Sequence, residues 1–148
     1  MLVKKVRNHK QNGEKGERIA IGELSKYDID IALPMSDNHP YDFIAICNDK
    51  FYKVQVKSSE WKTDNYIEFT LKKNNWYKKT SKRYTKEDAD VFVLCDYDNI
   101  YLLNSDEFSD KGTFSMVKIK TEVTCRKYVQ HLAEDFIISK DRISKVFI

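Results

Sequence analysis

Three side chains suited to phosphate chemistry lie near one another in the sequence: Asp42, Gln55 and Lys57. The Asp42 carboxylate is the hard, anionic oxygen ligand that Mg²⁺ and Mn²⁺ prefer, and the Gln55 amide oxygen is a neutral ligand. The Lys57 side chain can orient or deprotonate an attacking water and offset phosphate charge. With the backbone carbonyl of Val56 as a further ligand, this set suits a Mg²⁺ or Mn²⁺ ion held beside a phosphodiester bond.

The elements that must position these groups are the two strands of a hairpin, residues 40–46 and 51–57. Both are rich in β-branched and aromatic residues, and Asn48-Asp49 between them tolerates the positive φ of a tight turn. A turn centred there places Asp42 opposite Gln55, and the two-residue period of a strand puts Lys57 on the same face. The other face is mostly apolar and is predicted to pack: Phe43, Ala45, Tyr52, Val54 and Val56.

A simpler interpretation of this hairpin is also open. Asp42 follows Pro40 closely and could be an ordinary turn residue. Gln55 and Lys57 could then form the solvated face of a half-exposed hairpin. On spacing alone, this simpler interpretation is favoured.

One acidic residue lies where an apolar residue is expected. Glu17, Ala20, Ile21 and Leu24 have the spacing of one helical face, and Asn12 is predicted to cap the N-terminus of that helix. A glutamate on the face that packs against the sheet is expected to pair with a buried base or to help hold a metal ion.

The order of these residues resembles the PD-(D/E)xK nuclease superfamily. Gly16-Glu17 opens a helix, Pro40-Tyr41-Asp42 follows, and Gln55-Val56-Lys57 closes the next strand. More narrowly, the chain resembles the compact homing endonucleases encoded in group I introns and, next to them, the Holliday-junction resolvases. The resemblance covers residues 13–96. It favours Glu17 as a second metal ligand or water organiser.

The resemblance implies an α/β fold with a restriction-endonuclease-like core, in which a central mixed β-sheet is flanked by helices. It implies a metal-dependent endonuclease of the homing type acting on double-stranded DNA, with a resolvase acting on branched DNA as the alternative. Gln55 departs from the pattern, because most of the superfamily has an acidic residue there. The loss of one anionic ligand makes a DNA-binding module without cleavage a further alternative.

A basic segment follows the proposed site. Residues 72–86 contain seven basic side chains and no acidic one, with Asn and aromatic residues among them. Lys and Arg gain affinity by displacing counterions from phosphates, and Asn can read base edges. The residues predicted to contact DNA are Lys72, Lys73, Asn75, Lys78, Lys79, Lys82 and Arg83. The alternative is a solvated helix with aromatic anchors in the core.

Further elements are predicted along the rest of the chain. The strand-like runs are residues 28–33, 66–71, 90–95, 99–103 and an edge strand at 115–120. A helix after Thr124 is expected to cover the sheet opposite the first helix. Residues 143–148 are apolar and are predicted to pack on a partner subunit of a homodimer or higher homo-oligomer, with an edge strand of the same domain as the alternative.

Composition limits the remaining possibilities. The chain has 148 residues, of which 41% are hydrophobic, and is expected to form one nuclease domain over residues 1–148. No apolar run is long enough to span a membrane, so we expect a cytoplasmic protein without a membrane partner. The net charge is only +3, and the three cysteines are too far apart in sequence to indicate a metal site.

Overall fold

The computed structural model describes residues 9–59, 62–75, 77–119 and 131–148. Its helices are α1 His9–Ser25, α2 Ser105–Phe108, α3 Ala133–Phe136 and α4 Lys140–Val146. Its strands are β1 Asp30–Ala32, β2 Phe43–Cys47, β3 Lys50–Ser58, β4 Tyr66–Thr70, β5 Lys72–Asn75, β6 Thr80–Arg83, β7 Val91–Cys95, β8 Ile100–Asn104, β9 Thr113–Val117 and β10 His131–Leu132.

A mixed five-stranded sheet lies at the centre, in the order β1-β2-β3-β7-β8. Only β3 and β7 are paired in parallel within it. All five residues of β7 are buried, because layers cover both faces of the sheet at this strand. The prediction of a central mixed sheet flanked by helices is confirmed.

The β2–β3 hairpin has the predicted register. Asn48 and Asp49 adopt φ values of 51° and 62°, as a tight turn between strands of right-handed twist requires. Phe43 therefore lies opposite Val54. The face predicted to be apolar packs into one core with α1, the other strands of the sheet and the end of α4.

Helix α1 packs closely against the centre of the sheet. A Cβ atom on Gly16 would lie 1.8 Å from Oγ of Ser58, so any larger residue would displace the Ser58 side chain at the contact between the helix and β3. Ala20 and Leu24 continue the buried face. The predicted N-cap at Asn12 is wrong, because Asn12 lies inside α1 rather than before its first turn.

The second face of the central sheet is covered by strands as well as short helices. A three-stranded sheet in the order β10-β9-β4 packs there with α2 and α3 around a second core. The predicted edge strand at 115–120 is wrong in position, because β9 lies between β4 and β10. The helix predicted after Thr124 falls partly on residues 120–130, outside the described residues, and at Leu132 the structure has a strand instead.

The C-terminal residues pack on their own domain. Ser139 caps α4 by accepting a hydrogen bond from the backbone N–H of Arg142 at 3.0 Å. Val146 and Phe147 are each only 5% exposed and belong to the first core. The alternative of an edge strand is wrong, because Lys140–Val146 forms a helix over the sheet. Packing of this segment on a partner subunit stays a prediction, and Ile148 at its end is 78% exposed.

Three aspartates fix the backbone near the ends of strands. Asp88, Asp90 and Asp96 accept hydrogen bonds from the backbone N–H groups of Thr85, Lys53 and Asn99. Cys47 and Cys95 are free thiols, and Cys125 lies outside the described residues. None of the helices in the described ranges has both the length and the apolar character needed to cross a bilayer.

Candidate active site

The candidate site lies at the open end of the β2–β3 hairpin, where α1 crosses it. Asp42 directly precedes β2, and its backbone N–H donates to the carbonyl of Val54 at 2.8 Å. This bond extends the ladder by one residue beyond the strand. The position of the Asp42 carboxylate therefore depends on the register that the Asn48-Asp49 turn sets.

A compact hydrogen-bond network holds the Asp42 carboxylate. Its Oδ2 atom accepts from the backbone N–H of Val56 at 2.7 Å and from Nε2 of Gln55 at 2.9 Å. Gln55 is only 8% exposed. The simpler interpretation of Gln55 as part of a solvated face is therefore wrong.

The Gln55 amide also connects two of the predicted metal ligands. Its Nε2 atom donates both to Oδ2 of Asp42 at 2.9 Å and to the carbonyl oxygen of Val56 at 3.0 Å. Two acceptor oxygens thus point at one positively polarised group, which is the arrangement that a cation requires. A half turn of the amide would present Oε1 of Gln55 toward this position, in keeping with its predicted role as a neutral ligand.

Helix α1 brings Glu17 to the Asp42 carboxylate. Burial, together with the charge of the neighbouring Asp42 and a side-chain hydrogen bond with it, raises the pKa of Glu17 to about 7. Burial also raises the pKa of Asp42, although the Val56 N–H, Lys57 and Glu17 act in the opposite direction. Two neighbouring carboxyl groups favour either a shared proton or a bound cation.

These donors are hard oxygen atoms, which are the ligands that Mg²⁺ and Mn²⁺ prefer. The described residues contain no group of three or more His, Cys, Asp or Glu side chains that could hold a metal ion. One or two carboxylates, supplemented by neutral oxygens and water, are the usual protein ligands of Mg²⁺. Glu17, Asp42, Val56 and, after rotation of its amide, Gln55 supply such a set.

Lys57 lies beside this set and is half-buried. Its Nζ atom is 3.4 Å from the carbonyl oxygen of Lys72 and 5.0 Å from the centroid of the Tyr84 ring. Burial lowers the pKa of Lys57, with Asp42 opposing and Lys73 reinforcing this effect. The solvated-face interpretation is therefore wrong for Lys57 as well.

Glu17, Asp42, Gln55, Val56 and Lys57 all line one open cleft of about 470 Å³. It is also lined by Asn12, Gly13, Ser58, Ser59 and Tyr97, which were not predicted as site residues. Tyr97 donates from its hydroxyl to the carbonyl of Asn12 at 3.2 Å and so links α1 to the turn after β7. Only the position of Ser58-Ser59 directly after Lys57 gave a sequence signal for this part of the cleft.

The basic segment forms the β5–β6 hairpin rather than a helix. Lys72 pairs with Arg83, and Asn75 pairs with Thr80. The solvated-helix alternative is therefore wrong. The exposed side chains among those predicted to contact DNA are Asn75, Lys78, Lys79, Lys82 and Arg83.

Two lysines of the basic segment differ from the exposed ones. Lys73 forms an ion pair with Asp88 at 2.6 Å, and Lys72 is half-buried. The hairpin surface near Lys73 forms a groove of about 530 Å³ that is separate from the cleft at Asp42. The described structure therefore joins Glu17, Asp42, Gln55, Val56 and Lys57 in one site and places the basic hairpin beside it.

The chain is similar to known proteins in both sequence and fold. A profile of the PD-(D/E)XK endonuclease family matches residues 7–137. The fold is similar to that of the bacterial homing endonuclease I-Ssp6803I, with a TM-score of 0.64 and 23% identity over 88% of this chain and 89% of that chain. The structure of MepB is less similar, with a TM-score of 0.33 and 13% identity over 76% of this chain and 84% of that chain. The comparison with curated proteins gave no match.

Proposed function

The chain belongs to the PD-(D/E)XK endonuclease family, and from this premise we propose that it is a divalent-metal-dependent DNA endonuclease of the homing type. One observation carries the proposal. Asp42 Oδ2 and the Val56 carbonyl converge on one point, with Glu17 and Lys57 beside them. These groups are the ones that hydrolysis of a phosphodiester requires.

Each side chain has a proposed role. Asp42 is the principal ligand, Glu17 is the second ligand or water organiser, and the Val56 carbonyl and Gln55 are neutral ligands. A Mg²⁺ or Mn²⁺ ion bound there would supply Lewis-acid stabilisation of charge on the scissile phosphate. Lys57 orients or deprotonates the attacking water, or offsets phosphate charge, from a position that is only partly open to solvent.

The β5–β6 hairpin is the proposed DNA-binding element. The major groove of B-DNA is wide enough to admit a two-stranded antiparallel ribbon. Lys78, Lys79, Lys82 and Arg83 are exposed and can contact phosphates, and Asn75 can reach a base edge. Lys72 and Lys73 were predicted to do the same, but their partial burial assigns them a smaller share of the phosphate contacts.

Assembly into a homodimer or higher homo-oligomer is part of the proposal. One site of this kind cuts one strand, so a double-strand break is made most simply by two sites related by symmetry. Val146 and Phe147 are buried in their own core and are not available to a partner, whereas Ile148 at the end of the same segment is exposed.

Cleavage of supercoiled plasmid tests the proposed function. The purified chain is incubated with plasmid in the presence of Mg²⁺, Mn²⁺ or a chelator, over a range of DNA sequences that includes its native context. We expect nicked and linear products only with metal. Intact plasmid under every metal condition, together with retained DNA binding, would contradict the proposal. Competition between linear duplex and four-way junctions then separates a homing enzyme from a resolvase.

One observation favours a second candidate, which is a DNA-binding module without cleavage. The uncharged Gln55 amide donates to both oxygens that a cation would use, and therefore satisfies them without a metal. If this arrangement is the functional one, calorimetry will detect no binding of Mg²⁺ or Mn²⁺ to the free protein. Binding of either ion in the parent chain, and its loss in Asp42→Ala, excludes this candidate.

A further inference from the structure

Two ammonium groups contact the aromatic ring of one buried residue beside the site. Nζ of Lys57 and Nζ of Lys73 each lie 5.0 Å from the ring centroid of Tyr84. We propose that Tyr84 is a positioning residue that holds Lys57 in its working orientation and connects it to the basic hairpin. This inference rests on the proposed nuclease function and adds a residue to its machinery.

The Tyr84 ring is fixed by the second core. Tyr84 is only 5% exposed and meets Phe92 edge to face, with 4.8 Å between the ring centroids. Phe92 in turn stacks on Phe108 at 4.2 Å. Because cores of this kind are close-packed, the ring cannot rotate away without displacing its neighbours. It is therefore a rigid surface for the two ammonium groups.

Lys73 is held at the ring by a local network. It forms an ion pair with Asp88 at 2.6 Å. The other carboxylate oxygen of Asp88 accepts from the backbone N–H of Thr85, the residue after Tyr84, at 2.8 Å. Lys73, Asp88 and Tyr84 thus form one unit at the base of the β5–β6 hairpin.

Lys57 depends on the ring because its hydrogen bond to another described residue is weak. The hydrogen bond to the Lys72 carbonyl is long, at 3.4 Å. A cation over an aromatic face gains electrostatic attraction that is largest when water is excluded. The ring and the first residues of β5 therefore set the direction of the Lys57 side chain. A movement of the β5–β6 hairpin when it binds DNA would then also move Lys57.

The test compares Tyr84→Leu with Tyr84→Phe, which keeps the ring. In single-turnover cleavage at saturating DNA and metal, we expect Tyr84→Leu to lose about ten- to a hundred-fold in rate, as expected for displacement of a catalytic group by about 1 Å. We expect Tyr84→Phe to keep a rate close to that of the parent, and both variants to keep the DNA affinity of the parent. An unchanged rate in Tyr84→Leu would overturn the proposal.

A control separates positioning from loss of core packing. Phe114 is 3% exposed in the same core, and its ring lies 5.5 Å from Nζ of Lys111, away from the catalytic cleft. Phe114→Leu should lower the melting temperature to a similar extent and leave the cleavage rate unchanged. An equal loss of rate in Phe114→Leu would show that general destabilisation is responsible and would overturn the proposal.

A second readout does not depend on cleavage. In carbon-edited NMR spectra, the ring current of Tyr84 should shift the Lys57 Hε signals in the parent and in Tyr84→Phe, and the shift should vanish in Tyr84→Leu. If Tyr84→Leu does not fold, Tyr84→Met replaces it. An unshifted Lys57 signal in the folded parent would overturn the positioning role. A parent that shows the shift but cuts no DNA would instead contradict the proposed function.

Discussion

The β2–β3 and β5–β6 hairpins are built from the same antiparallel pairing, but they differ in what surrounds them. The first is covered by α1 and its polar groups bond to one another, whereas the four residues of β6 are all exposed. Buried polar groups with satisfied hydrogen bonds have fixed positions, and exposed lysines can adapt to a ligand. The first hairpin is therefore suited to chemistry and the second to binding DNA.

The largest effect is expected from Asp42→Ala. The change removes the carboxylate that bonds to both Gln55 and Val56, so cleavage should fall on the order of a thousand-fold, equal to about 4 kcal/mol of activation free energy. DNA affinity should change little. Rates and affinities are measured in parallel, with Asp135→Ala on an exposed turn of α3 as the control. Parental cleavage by Asp42→Ala would show that the chemistry lies elsewhere.

Neutralising the exposed end of the second hairpin should give the reverse pattern. Changing Lys78, Lys79, Lys82 and Arg83 to Gln should weaken DNA binding and reduce its salt dependence by about 0.9 in logarithmic slope per lost phosphate contact. Lys140→Gln with Lys145→Gln on α4 is a control of the same type. An unchanged slope would mean that the hairpin does not bind the DNA backbone.

Lys73→Gln sharpens this contrast within the basic segment. Lys73 pairs with Asp88 and contacts Tyr84. We therefore expect Lys73→Gln to lower the single-turnover cleavage rate and to leave the salt dependence of DNA binding nearly unchanged. Lys82→Gln should do the opposite. Both quantities come from the same binding and single-turnover experiments. Equal effects of the two variants would assign Lys73 to the DNA contacts, as the sequence alone indicated.

A smaller effect is expected from Gln55→Glu. The change replaces the amide that donates to Asp42 with a third carboxyl group, which should lower the melting temperature without metal. Metal should then stabilise the variant more than the parent, and the Mg²⁺ concentration for half-maximal cleavage should fall. Thermal unfolding with and without Mg²⁺ measures the first effect. An unchanged half-maximal concentration would mean that residue 55 is not a ligand.

The smallest effect concerns pH. Since burial and the neighbouring Asp42 raise the pKa of Glu17 from its usual 4.5 to about 7, the folded protein holds a proton that the unfolded chain releases between these values. Its contribution to stability therefore decreases as the pH rises through this range. Melting temperatures of the metal-free parent and Glu17→Gln should diverge in the same range. A constant difference between them would contradict the raised pKa.

The sequence predicted the parts of the molecule that depend on local pattern. Asn48-Asp49 and the apolar alternation of the hairpin determined which residue faces Asp42, and the helical spacing of Glu17 placed it toward the sheet. These features follow from the periods of strand and helix. The roles of the site residues, the single domain over residues 1–148 and the cytoplasmic location stay predictions.

The features that the sequence did not predict depend on long-range contacts. Leu132, Ala133, Phe136 and Ile137 have a spacing compatible with a helix, but His131 and Leu132 pair with β9 and begin a short strand. The contact of Tyr84 with two lysines arises because the residue after β6 packs into the second core beside Lys57 of β3 and Lys73 of β5. No local periodicity encodes either arrangement, since each depends on which distant segment covers the second face of the sheet.

Mapping the metal position with iron tests the central claim most directly. Fe²⁺ with ascorbate and peroxide generates radicals that cut the backbone close to the bound ion. We predict cuts near Glu17, near Asp42 and between Gln55 and Lys57, suppressed by excess Mg²⁺ and absent in Asp42→Ala. Cuts confined to other segments, or cuts at these positions that neither Mg²⁺ nor Asp42→Ala affects, would contradict a divalent-metal site at the end of the β2–β3 hairpin.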